Sequence, residues 1–124
     1  MSNGLRTTFL IRAIVALSFG IVLYLIPDLW ANLVNWTPFD AAMTRFLGAA
    51  GLAIGVSSWL GYRAEIWKEV RITVQMDIVF TVTGALIGLY IFFTAGGPLF
   101  IWVFIIPMVV FAVLWIYFYR QENP

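Results

Sequence analysis

The stretch Thr8–Ile26 reads TFLIRAIVALSFGIVLYLI, and it decides the fold class. About 20 mostly apolar residues suffice for a helix to cross a bilayer. This stretch meets that length with one interruption, Arg12. A second such stretch, Ile72–Phe93, reads ITVQMDIVFTVTGALIGLYIFF and contains Asp77. At helical rise, Arg12 lies about 6 Å inside Thr8, and Asp77 about 7.5 Å inside Ile72. Both stretches enter from the same side, so the depths match while the signs oppose. Ionisable residues inside an apolar span are expensive, which marks Arg12 and Asp77 as a buried charge pair and a candidate site.

Two further stretches, Ala41–Leu60 and Leu99–Phe118, have the same apolar character. The expected fold is an all-α integral membrane four-helix bundle covering residues 1–124 as one domain. Short connections imply an up-down-up-down order. The first span is not read as a cleaved signal, because Arg12 breaks it and no small-x-small site closes it.

Composition agrees. Hydrophobic residues make up 63% of the chain and charged residues 10%, with mean hydropathy +0.98. Soluble domains carry about a quarter charged residues. The net charge of +1 offers no field for nucleic acid. The chain has no cysteine and no histidine. That removes disulfides, thiol redox chemistry, iron–sulfur ligation and the usual zinc sites. It also removes the commonest acid–base catalyst. No cofactor is implied, and a catalytic role is not expected.

Arg6, Arg12, Arg63, Lys68, Arg71 and Arg120 fall on one side of the bundle, and only Arg45 falls on the other. The positive-inside rule then puts both termini in the cytoplasm. Between the first two spans, Pro27–Pro38 reads PDLWANLVNWTP. Leu29, Trp30, Leu33 and Val34 share a stripe, which predicts a short interfacial helix with Trp30 and Trp36 as anchors. An alternative is a lid over an interhelical cavity. Thr37, Pro38 and Asp40 fit the N-cap, N1 and N3 positions of the second span. Pro98 follows Gly96-Gly97 and opens the fourth span, and Pro107 is expected to kink it.

Helical spacing puts small residues on inner faces. Arg12, Ala13, Ala16 and Gly20 share one on the first span. Thr44, Gly48, Gly51, Gly55 and Ser58 share one on the second. Thr73, Asp77, Thr81, Gly84, Gly88 and Ala95 share one on the third. Small faces let membrane helices approach closely, within a protomer or between copies. The fourth span is bulky all round, which suggests exposure to lipid or a partner, with Trp115, Tyr117 and Tyr119 at the cytoplasmic interface.

Several roles stay open for Arg12 and Asp77: a structural clamp, snorkelling of Arg12, a proton relay, or an anchor for a ligand head group. Thr73 and Thr81 flank Asp77 as a polar path or ligand anchor. Arg45, Asp28 and Asp40 form an expected outer charged cluster.

The run Arg45-Phe46-Leu47-Gly48, followed by Gly51 and Gly55, resembles the Arg-x-x-Gly opening of the second helix in DoxX-like small four-helix membrane proteins. The resemblance implies a compact bundle in a prokaryotic cytoplasmic membrane, with Arg45 and Gly48 as structural elements. Some such proteins are linked to quinone-coupled oxidation. The leading expectation is a non-catalytic accessory or scaffold subunit that binds membrane lipid or another hydrophobic ligand between its helices, alone or within a larger complex. Alternatives are a homo-oligomeric channel or transporter using the Thr73–Asp77–Thr81 face, and a quinone-linked enzyme.

Overall fold

A computed structural model describes residues 1–37, 39–96 and 98–122. Five helices follow in order: α1 (Asn3–Leu25), α2 (Pro27–Val34), α3 (Ala41–Arg63), α4 (Trp67–Ala95) and α5 (Trp102–Glu122). A 3-10 turn, Leu99–Ile101, leads into α5. The fold is an all-α bundle, with no strand among the described residues. Four helical segments are long and apolar enough to cross a membrane.

Helix ends follow capping chemistry rather than hydropathy. Ser2 caps α1, with Oγ accepting from the Leu5 N–H at 3.2 Å, so the helix begins well before Thr8. Asp40 caps α3, its Oδ1 accepting from the Met43 N–H at 3.0 Å. This corrects the expected Thr37 cap with Asp40 at N3. Pro38, the expected N1 residue, and Gly97 lie outside the described residues. Asn35 ends α2 at φ 55°, and Gly96 ends α4 at φ 63°, where glycine carries no Cβ penalty.

The helices associate as two tight hairpins. In the first, α1 meets α3 backbone to backbone. A Cβ at Gly48 would lie 2.6 Å from the Tyr24 nitrogen, and one at Gly20 would lie 2.7 Å from the Leu52 nitrogen. Two arginines lock this pair reciprocally. Arg45 Nη1 donates to the Tyr24 carbonyl at 2.9 Å, and Arg6 Nη2 donates to the Tyr62 carbonyl at 3.4 Å. Each satisfies a carbonyl at the partner helix's C-terminal end, where intrahelical donors run out. In the second hairpin, Gly84 packs on Met108 and Gly88 on Ile105. The glycine faces of α3 and α4 are therefore used inside the protomer.

Large side chains hold the hairpins together. At the end carrying the termini, Leu5, Phe9, Val70, Val74, Phe111, Trp115 and Phe118 form one buried cluster. Phe9 and Trp115 rings lie 4.9 Å apart. Trp115 is fully buried, which corrects its expected interfacial position. The fourth span is thus not simply lipid-facing. It also buries Ile105, Phe111, Ala112 and Phe118. At the opposite end, α2 turns Trp30 and Ala31 inward against Leu23. Trp30 is buried beneath α2 rather than anchored at an interface, with its ring tilted against Trp36 and edge-on to Phe100 and Phe104. Leu29 and Leu33 of α2 remain exposed. Between the two clusters the hairpins leave open space.

Candidate functional site

Arg12 sits on the inward face of α1, between Phe9 and Ala16 of the same face. It is only 4% exposed. Its guanidinium carbon lies 5.5 Å from the Phe80 ring centroid on α4 and 5.0 Å from that of Phe111 on α5. Desolvated contacts of this kind contribute about 2 kcal/mol or more. Asp77, 6% exposed, lies one helical turn before Phe80.

The expected direct bridge is not formed. Arg12 Nε and Nη2 and Asp77 Oδ2 are buried with no hydrogen-bond partner. The two charges are close enough to attract each other across the interior. The physical reason for the gap is the aromatic pair, which holds the guanidinium over its faces.

Ser58 joins this layer from α3. It is fully buried, and its Oγ also has no partner. On the same face, Gly55 meets Leu17 and Gly61 meets Phe9. Ser58 therefore lies against the intervening turn of α1, the turn that carries Arg12. Buried polar atoms without partners are few in folded proteins and need a reason. Here three helices contribute them at one level.

A cleft of about 110 Å³ opens beside Arg12. Its walls come from α1 (Val15, Ala16, Phe19), α3 (Ala50, Gly51, Ile54), α4 (Phe80) and α5 (Phe104, Pro107, Met108). Arg12 is its only charged wall residue. The helix α5 continues through Pro107, which faces this space. Phe104 also touches Trp30, so the α2 cluster closes one end of the cleft. Phe111, beneath the guanidinium, belongs to the cluster that closes the other.

The threonine stripe does not line one path. Thr81 is fully buried, and its hydroxyl donates to the Asp77 carbonyl at 2.6 Å. Thr73 lines a separate, wider groove between α3 and α4, whose walls include Val56, Leu60, Arg63 and Glu69. Asp77 and Thr81 line neither opening. The outer cluster of Arg45, Asp28 and Asp40 does not assemble either. Arg45 caps α1, Asp40 caps α3, and Asp28 stands exposed in the first turn of α2.

Phe80, Phe111 and Ser58 are the site residues that sequence reading missed as functional. Phe80 was detectable in principle, three residues beyond Asp77 on an inward-turning stretch. Phe111 was not, since α5 is aromatic on every side. Among the described residues, no group of three or more carboxylates, histidines or cysteines could hold a metal ion. No family model matches this chain, and no curated protein or solved structure does so.

Proposed function

We propose that this chain is a non-catalytic integral membrane protein that holds the polar end of an amphiphile in the cleft beside Arg12. The observation that carries this reading is a lone, buried, incompletely bonded guanidinium in an otherwise apolar cleft. Ligand sites typically combine apolar walls with a few placed polar groups. The exposed surface favours a bilayer setting. Leu25, Phe46, Ile72, Phe93 and Leu99 are among many large apolar side chains left uncovered. Soluble monomers seldom carry extended apolar surface. The asymmetry of lysine and arginine supports cytoplasmic termini.

An accessory or scaffold role fits the absence of histidine and cysteine from the chain. The reading is tested by mass spectrometry of lipids that co-purify with the protein in native nanodiscs. Ala50 lines the cleft and is exposed, so Ala50→Phe fills the space without crowding the core. A lipid species retained by the wild type and lost from Ala50→Phe supports binding in the cleft. An identical lipid complement in both rejects it.

A further inference from the structure

We propose that the Arg12 cleft selects uncharged, oxygen-bearing head groups over anionic ones, and that Asp77 sets this preference through Arg12. The inference rests on the ligand-binding reading above and names the class of ligand. The cleft is small. An engineered cavity of about 150 Å³ holds benzene, and this one is about 110 Å³. Only the narrow polar end of an amphiphile enters, while its tail stays among the exposed apolar side chains.

Inside, the end group meets one charged wall residue, Arg12. Asp77 does not line the cleft, so it does not touch the ligand. It is nevertheless buried one turn from Phe80, on whose ring the guanidinium rests. Together the two side chains carry no net charge. A hydroxyl or ester oxygen accepts from the guanidinium and leaves that balance intact. A carboxylate would add a third charge to the interior and would face Asp77 as well as Arg12. Charges at such depth are costly, and low local dielectric strengthens the repulsion. Without the Asp77 charge the order inverts. Arg12 then stands uncompensated, and its planar fork matches a carboxylate in two-point geometry. Asp77 is therefore a specificity-determining residue that acts at a distance.

The test uses full-length protein in nanodiscs of uncharged lipid, in mildly alkaline buffer. The probes are dodecanol and dodecanoate, with partition into empty nanodiscs subtracted. The wild type should bind dodecanol at least about tenfold more tightly than dodecanoate. Asp77→Asn keeps the shape and removes the charge, and it should prefer dodecanoate. Asp77→Glu keeps the charge and should retain the wild-type order, and Asp77→Ser, smaller and uncharged, should share the preference for dodecanoate, which covers the case in which the asparagine variant fails to fold. Tighter binding of dodecanoate by the wild type, or an unchanged order in Asp77→Asn, overturns the selectivity while leaving ligand binding intact. Absence of saturable binding by either probe overturns the ligand-binding reading, and the inference falls with it.

Discussion

Replacing Gly48 with alanine should loosen the α1–α3 hairpin, and the cost can be worked from its surroundings. The added Cβ would lie 2.6 Å from the Tyr24 nitrogen and 3.0 Å from both the Gly20 oxygen and the Leu23 carbonyl carbon. Ordinary contact begins near 3.4 Å, so the nearest approach falls about 0.8 Å short. All three atoms are backbone, and none can rotate away. The helices must part, and the Arg45–Tyr24 hydrogen bond one turn away must stretch with them. Gly84→Ala is the matched control, because its Cβ would meet the Met108 sulfur at 3.1 Å. A thioether on a flexible chain yields easily. Each variant gains the same helix propensity over glycine, about 0.8–1 kcal/mol. Their difference therefore isolates the clash, at about 1–3 kcal/mol or more against Gly48→Ala. Unfolding by SDS in bicelles, followed through the buried Trp115, measures both variants. Equal stability would refute the backbone-to-backbone contact and the hairpin built on it.

Three other outcomes follow from the same contacts. Arg12→Leu and Asp77→Leu should each destabilise the fold by about 3–5 kcal/mol, because each leaves a buried charge uncompensated. The double variant should recover much of that, and additive effects in a double-mutant cycle would show that the charges do not interact. Trp30→Ala should cost about 3–5 kcal/mol by emptying the cluster under α2, and a thermal shift near zero would contradict its burial. Glu65→Cys, in the exposed α3–α4 connection, should react with an impermeant thiol reagent only when the cytoplasmic face is accessible. Labelling from outside intact cells would reverse the orientation.

The spans were legible because a bilayer demands length and apolarity, and those are properties of sequence alone. The small faces were legible for the same kind of reason. Gly48, Gly51 and Gly55 repeat at helical spacing, and they meet α1 as spacing suggests. The burial of Arg12 and Asp77 was legible too, since both fall on small-residue faces inside apolar stretches. The missing bridge was not legible, since it depends on Phe80 and Phe111 arriving from two other helices. The place of α5 was hidden because lipid and core are equally apolar, so bulk cannot say which one a residue faces. Trp115 and Trp30 were misplaced for that reason. The reciprocal arginine caps were also hidden. Their spacing in the sequence puts Arg6 and Arg45 at opposite ends of the bundle, but their carbonyl partners depend on the register between α1 and α3.

If the cleft holds a lipid's polar end beside Arg12, dodecanol should enter it hydroxyl first. Photo-crosslinking decides this, with dodecanol that carries a diazirine either beside the hydroxyl or at the far end of the chain. The hydroxyl-side label should mark the cleft walls, near Val15–Phe19 and Phe80, and Ala50→Phe should abolish this labelling. The far-end label should mark the exposed apolar surface instead. Equal labelling of the cleft by both probes, or labelling by the hydroxyl-side probe confined to exposed residues such as Ile72 and Leu86, would contradict it.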